Sequence, residues 1–166
     1  TDYQEKSART LNPACHVKRD YNYILGLRGE SGEVADAVKK HVYHGHGKEN
    51  IQVEVGDVFW YVAAICTNLG LEMGKIYRQG EPPRNELPVL AVDLGDDVSD
   101  AIFTLRDTSN DADLKITIRC VMQSLHRILI AAGFCLRETL DMNVAKLRQR
   151  YQTGFDQAAS LNRDSQ

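Results

Sequence analysis

The chain has 166 residues, of which 43% are hydrophobic and 26% charged, and its formal net charge is −3. This length suits one domain with its own core and excludes a large modular architecture, while the charge balance excludes a basic protein that coats nucleic acid. No apolar run approaches the roughly 20 residues of a membrane span, and no charged-then-apolar leader opens the sequence. We therefore expect a cytoplasmic protein with no membrane and no nucleic acid partner.

Apolar residues recur at intervals of three and four along most of the chain, which predicts an all-α fold. The predicted helices cover about residues 2–11, 19–42, 50–69, 87–105, 118–132 and 136–151, with a turn at 107–113 and a loosely packed tail from 152. Asn50 is a candidate N-cap. Glycines that can adopt the left-handed conformation follow three helices, namely Gly45 or Gly47, Gly70 and Gly133.

The two halves of the chain contain similar segments. Residues 33–38 (EVADAV) resemble residues 97–102 (DVSDAI), and residues 69–71 (LGL) resemble residues 132–134 (AGF), at spacings of 64 and 63. Such repetition predicts a duplicated helical hairpin that stacks into a four-helix bundle. We expect a single domain over residues 1–166, made of one half at 1–80, a second half at 86–151 and the tail at 152–166.

Two acidic pairs interrupt the apolar helices of the first half. Glu30 and Glu33 lie about 60° apart on one helix, and Glu54 and Asp57 repeat this geometry on the next. A single such pair is usually a solvated face, but two on neighbouring helices can converge on one space. Two unit charges about 5 Å apart repel by roughly 3 kcal/mol at an effective dielectric near 20, so four together require a counter-ion. These four residues are the predicted metal ligands and catalytic residues.

The ligand chemistry favours a hard cation. Carboxylate oxygens are typical ligands of Mg²⁺, with Mn²⁺ the second choice. A helical di-iron centre would need a Glu-x-x-His motif, which does not occur in the chain. Small residues beside the acids, Gly26 and Ala37 on one helix and Ala64 on the other, are expected to leave room for a ligand. Trp60 points about 100° away from the acids along its helix and is predicted to be a core or interface residue.

Residues 26–36 (GLRGESGEVAD), followed by residues 54–61 (EVGDVFWY), resemble the all-alpha nucleoside triphosphate pyrophosphohydrolases of the MazG-like superfamily. The order ExxE, spacer, ExxD is that family's signature, and residues 143–151 (NVAKLRQRY) resemble its closing segment. The resemblance implies Mg²⁺-dependent hydrolysis of a nucleoside triphosphate, usually a deoxynucleotide, between the α and β phosphates. The products would be a monophosphate and pyrophosphate, and the biological role nucleotide-pool cleaning.

A bound triphosphate needs cationic and polar partners beyond the metal ions. Lys40 lies on the acidic strip itself, and the resemblance adds Asn143, Lys146 and Arg150 from the closing segment. Tyr61 and Asn22 share the metal-facing strips and are predicted to contact the sugar or base. By the internal repeat, Glu30, Glu54 and Asp57 correspond to Leu94, Thr117 and Cys120, so the second half has lost the ligands. We expect it to be a degenerate copy that lends its closing helix to a single site.

Other functions stay open at the level of sequence. Some all-helical dUTPases carry related acidic motifs, so a dUTPase is a close alternative. A non-catalytic helical module that binds a nucleotide or a metal is an alternative from a different class. Family members commonly associate, and the resemblance therefore implies a homodimer.

Overall fold

A computed structural model describes residues 2–15, 21–106 and 111–156. Within these ranges the chain forms helices and no strand, which confirms the all-α class. The helices are α1 (Asp2–Ala8), α2 (Tyr21–His44), α3 (Glu49–Asn68), α4 (Met73–Ile76), α5 (Leu87–Arg106), α6 (Asp111–Ala132) and α7 (Leu136–Arg150). No single helix in the described ranges is long and apolar enough to cross a membrane; one bent pair, 112–132 with 136–150, passes that test only when both helices are taken together.

Four long helices form the body of the molecule. Helices α2 and α3 pack as one hairpin and α5 and α6 as another, while α2 also packs on α5 and α3 on α6. The apolar stripes predicted from the sequence meet between them, and burying each large aliphatic side chain contributes about 1.5–3 kcal/mol. Fully buried members of this core include Val34, Ile51, Val58, Leu94, Val98, Leu125 and Leu129.

The ends of α3 and α6 have the same local structure. Leu71 N–H donates to Cys66 O at 2.8 Å, and Phe134 N–H donates to Leu129 O at the same distance. Between them lie Gly70 and Gly133 with φ of +67° and +80°, a conformation that glycine adopts without the cost a side chain would impose. These bonds recur 63 positions apart, the spacing found in the sequence repeat.

The helix that follows each hairpin crosses to the other hairpin. Helix α4, a single turn, packs on α6, whereas α7, which has 15 residues, packs on α3. Helix α1 packs on both α3 and α7. As a consequence, the acidic part of α3 is covered by a helix from the far end of the chain.

Several predicted boundaries need correction. Helix α3 begins at Glu49 with Lys48 in the N-cap position and no side-chain cap, so Asn50 is not the cap; its amide instead donates to Glu54 Oε1 at 3.2 Å. Helix α6 begins at Asp111, inside the predicted turn 107–113, of which 107–110 lie outside the described residues. Phe155, in the predicted loose tail, is half-buried; residues 157–166 of that tail also lie outside the described residues.

Candidate active site

Three of the four predicted acids meet where α2 and α3 face each other. Glu30 from α2 and Glu54 and Asp57 from α3 each place a carboxylate oxygen within 4.8 Å of the others, and all three residues are half-buried. Opposite ligands of a Mg²⁺ ion lie about 4.2 Å apart, since each bond is 2.0–2.1 Å long. The hard, all-oxygen donor set and its spacing therefore fit a divalent cation of the magnesium type.

Glu33 lies outside this acidic triplet. Its side chain is exposed on α2, but its charge still acts on Glu54. The pKa of Glu54 is raised first by burial and then by the charge of Asp57, with a further contribution from Glu33; Lys146 and the amide of Asn50 oppose the rise. The site thus concentrates negative charge that one neighbouring cation only partly offsets.

That cation comes from α7. Lys146 Nζ lies 2.5 Å from Asp57 Oδ2, and Asn143 Nδ2 donates to Asp57 Oδ1 at 2.8 Å. The two helices approach closely at Gly56, where a Cβ would lie 3.2 Å from Asn143 Cβ. The expected fold-back of the closing helix onto the acids is therefore present within one chain, and both oxygens of Asp57 accept bonds from it.

Asn143 differs from its expected role as a substrate contact. Only 4% of the residue is exposed, and its amide is committed at both ends, because Oδ1 accepts a 2.9 Å bond from Tyr3 OH while Nδ2 donates to Asp57. It therefore orients an acid of the triplet. Tyr3 could not be predicted from the sequence, since nothing in the pattern of α1 connects it with a residue 140 positions away.

A cleft opens beside the triplet, with a cavity volume of about 150 Å³. Typical ligand pockets enclose roughly 300–1,000 Å³, so this space holds one part of a nucleotide and leaves the rest over the open acidic side. Besides Asp57, four other predicted site residues line the cleft, and so do seven residues that were not predicted to do so. The predicted ones are Asn22, Glu30, Tyr61 and Arg150, and the others are Thr10, Asn12, Tyr23, Trp60, Leu147, Tyr151 and Phe155.

Five of the twelve residues that line this cleft are aromatic. Trp60 packs edge-on against Tyr61, with centroids 4.8 Å apart, and against Tyr23 at 6.0 Å. Its Nε1 donates to Thr10 Oγ1 at 2.8 Å. Tyr151 and Phe155, which follow α7, stack on each other with their ring centroids 6.0 Å apart. Trp60 packs against the hydrophobic core, as predicted, and it also lines this cleft, which was not predicted.

The room expected at Gly26 is filled by Tyr61. A Cβ at Gly26 would lie 1.9 Å from Tyr61 Cε1, so the ring rests directly on the backbone of α2. The space beside Gly26 is therefore occupied by a side chain of the protein and not by a ligand. This contact holds the Tyr61 ring in place at the wall of the cleft. The other predicted small residues, Ala37 and Ala64, are buried in the core, so neither leaves room for a ligand.

Lys40 is not among the residues that line the cleft. Its Nζ lies 2.6 Å from Asp36 Oδ2, and Asp36, paired also with Lys39, has its pKa lowered to about 2. The hydrogen bond to Asp36 and the charge of Asp36 raise the pKa of Lys40, and the charges of Glu33 and Glu54 add to this rise. Of the predicted cations, Lys146 contacts the triplet, Arg150 reaches the cleft and Lys40 remains at its edge.

Comparison with known proteins agrees with this arrangement. Residues 19–79 match the family model described as the MazG nucleotide pyrophosphohydrolase domain. The chain is also 36% identical over 69 residues to the Gene 37 protein of Mycobacterium phage L5, a match that covers 37% of this chain and 60% of the phage protein. No solved structure matches the chain. Residues 19–79, which include α2, α3 and the whole acidic triplet, are therefore similar to the MazG nucleotide pyrophosphohydrolase domain.

Proposed function

We propose that this protein is a divalent-metal-dependent nucleoside triphosphate pyrophosphohydrolase that releases pyrophosphate and a nucleoside monophosphate. The observation that carries the proposal is the triplet of Glu30, Glu54 and Asp57 beside an aromatic cleft, with the Lys146 ammonium at its edge. The family match to residues 19–79 supports the reaction class.

The three acids would hold Mg²⁺, or Mn²⁺ in its place. When bound, such an ion polarises a phosphoryl oxygen, lowers the pKa of a bound water and takes up charge on the leaving pyrophosphate. Glu33 is our candidate for the acid that accepts the proton of the attacking water, because it lies beside Glu54 but outside the triplet and is exposed.

Positive charge for the polyphosphate would come from α7. Lys146 and Arg150 stand one helical turn apart, the first at Asp57 and the second in the lining of the cleft. A cationic pair placed between the acids and the cleft spans the distance over which a triphosphate would lie. Lys40, on α2, would add to the positive electrostatic potential around the phosphates without contacting them directly.

The nucleoside would occupy the aromatic cleft. Trp60 and Tyr61 form one wall and Tyr151 and Phe155 another, and flat rings of this kind stack on nucleobases. Asn12 and Asn22 supply polar groups at the lining for the base or sugar. The small cavity volume favours one ring system, with the phosphates projecting toward the triplet.

The decisive experiment is a panel of common NTPs and dNTPs incubated with Mg²⁺, with products resolved by chromatography. Monophosphate plus pyrophosphate is the expected result, and diphosphate plus orthophosphate would contradict the proposal. Turnover of dUTP alone would identify the protein as an all-alpha dUTPase. Thermal stabilisation by a triphosphate with Mg²⁺ but no product would identify a non-catalytic binding module.

A matched pair of variants tests the site itself. Asp57→Asn should abolish turnover with the fold intact, since it removes one of the three carboxylates of the triplet. Asp141→Asn is the control, because Asp141 follows Glu138 at the same ExxD spacing but is exposed on α7. Equal activity in the two variants would refute the assignment of the site.

We also propose a homodimer in the cytoplasm. Family resemblance motivates the dimer, and large apolar side chains that are mostly exposed, such as Leu25 on α2 and Phe103 on α5, offer surface for it. Light scattering at several protein concentrations would measure the mass, and a monomer throughout would contradict the dimer.

A further inference from the structure

Helix α1 lies outside the segment that matches the family model, yet one of its side chains reaches the acidic triplet. Tyr3 is buried, 9% of the residue being exposed, and its hydroxyl donates to Asn143 Oδ1 at 2.9 Å and lies 3.5 Å from Gly56 O. Asn143 in turn donates to Asp57 Oδ1. A three-residue chain of hydrogen bonds thus connects the N-terminal helix with a predicted metal ligand.

The direction of these bonds is fixed by chemistry. A carboxamide oxygen only accepts, so the Tyr3 hydroxyl must donate to it, and the opposite end of the amide then presents its N–H to the carboxylate. Burial, followed by the charge of Asp57, raises the pKa of Tyr3 well above its ordinary value, so this donor stays protonated. Without the hydroxyl, the buried Oδ1 of Asn143 loses its donor, and the amide is held less firmly in the orientation that presents its N–H to Asp57.

We infer that Tyr3 is a positioning residue for the metal-binding carboxylate of Asp57 and that it acts through Asn143. With Oδ1 of Asp57 held by Asn143, the carboxylate is kept in one orientation, in which its Oδ2 contacts Lys146. Partners that orient a metal ligand in this way commonly change metal affinity by 10–100-fold when removed. The inference rests on the proposed function in taking Asp57 as a ligand.

Helix α1 has a second anchor that does not involve the triplet. The Gln4 side chain donates to Thr67 Oγ1 at 3.2 Å and to Leu71 O at 2.9 Å, and it accepts a 2.9 Å bond from Met73 N–H. Gln4→Ala therefore weakens the docking of α1 but leaves the chain from Tyr3 to Asp57 in place. It is the matched control for a change at Tyr3.

The experiment is a calorimetric titration of the full-length protein with Mn²⁺ alone, without nucleotide. Tyr3→Phe keeps the ring and removes only the hydroxyl, and we expect its Mn²⁺ dissociation constant to rise at least tenfold. Gln4→Ala should bind Mn²⁺ as the wild type does, although its Tm falls. If Gln4→Ala loses as much affinity as Tyr3→Phe, α1 acts only by docking and the inference is wrong.

Two further measurements keep the test decisive. In the Asn143→Ala background, Tyr3→Phe should cause no additional loss, because its effect passes through that amide. Normal Mn²⁺ affinity in Asn143→Ala or in Tyr3→Phe would overturn the inference while leaving the proposed function intact. Failure of the wild type to bind Mn²⁺ would overturn both, so the two failures are distinguishable.

Discussion

At the scale of single residues, Gly26 carries a constraint that bears on both stability and the cleft. Gly26→Ala would place a methyl group 1.9 Å from the Tyr61 ring, so the ring or the helix must move. Overpacking of this kind costs about 1–3 kcal/mol. We expect urea unfolding to show that loss, and KM for the nucleotide to rise because a wall of the cleft is displaced.

Gly29→Ala is the control for this change. A Cβ at Gly29 would meet no atom within 4 Å, and alanine favours a helix over glycine by up to about 1 kcal/mol. The two substitutions are the same in chemistry and lie three positions apart on α2. Equal effects on stability would contradict the contact between Gly26 and Tyr61.

The raised pKa of Glu54 predicts a pH dependence of the metal-free protein. A carboxyl group whose folded pKa exceeds its unfolded value, here about 4.5, stabilises the fold fully below that pH. This contribution is lost as the pH rises through the folded pKa. Burial and the facing charges of Asp57 and Glu33 cause the shift, and Lys146 opposes it.

Glu54→Gln should therefore have a higher Tm than the wild type at neutral pH, with the difference vanishing toward pH 4. Thermal unfolding at a series of pH values, in the presence of a chelator, measures it. Asp36 does not interfere, because its pKa of about 2 places its titration at lower pH. A constant difference at all pH values would show that Glu54 is not the group responsible.

At the scale of elements, α7 determines how charge is balanced at the triplet. Its Lys146 pairs with Asp57 Oδ2, an oxygen that a bound cation would also use. Lys146→Met should therefore leave Mn²⁺ affinity unchanged or higher and raise KM for the nucleotide, because an ammonium that competes with the ion and attracts phosphate is removed. Calorimetry with Mn²⁺ and steady-state kinetics separate the two effects.

Arg148→Met is the matched control on the same helix, since Arg148 is exposed and does not line the cleft. Its metal affinity and KM should equal those of the wild type. A loss of metal affinity in Lys146→Met would mean that the ammonium supports the triplet instead of competing for it.

At the scale of the whole molecule, the two hairpins differ in the helix that follows each. Helix α7 runs for 15 residues and delivers Asn143 and Lys146 to α3, whereas α4 ends after 4 residues and the extended chain beyond it covers α6. There, a Cβ added at Gly80 would lie 3.6 Å from the side chains of Gln123 and Arg127 on α6. Helices α5 and α6 therefore have no counterparts of the three triplet acids, and the basic helix α7 packs on α3 instead.

We accordingly predict one active site per chain. Asp97 occupies the position that corresponds to Glu33, and its half-buried carboxylate accepts a 2.5 Å bond from Ser124 Oγ. Asp97→Asn should leave turnover and the number of bound Mn²⁺ ions unchanged, because the corresponding positions Leu94, Thr117 and Cys120 offer no carboxylate. A loss of turnover like that of Asp57→Asn would show that the second half takes part in catalysis.

Features that depend on local periodicity could be predicted from the amino-acid pattern alone. Spacings of a few residues are enough to predict three features of the fold. These are the two hairpins, the left-handed glycines Gly70 and Gly133, and the placement of Glu54 and Asp57 on one face of α3. The family signature added the closing helix as a candidate part of the site. The start of α6 was predicted too late, because the buried Leu114, four residues before Ile118, already belongs to its apolar stripe.

Contacts between side chains that are distant in the sequence depend on the folded arrangement of the helices. Lys146 reaches Asp57 across 89 positions and Tyr3 reaches Asn143 across 140, and no local pattern encodes such pairs. The rotation of α2 against α3 leaves Glu33 outside the triplet, and the crossing of α1 and α7 over α3 turns Trp60 toward a cleft. Periodicity fixes the face of a helix, but the angle and depth at which two faces pack depend on the shapes of all the side chains between them.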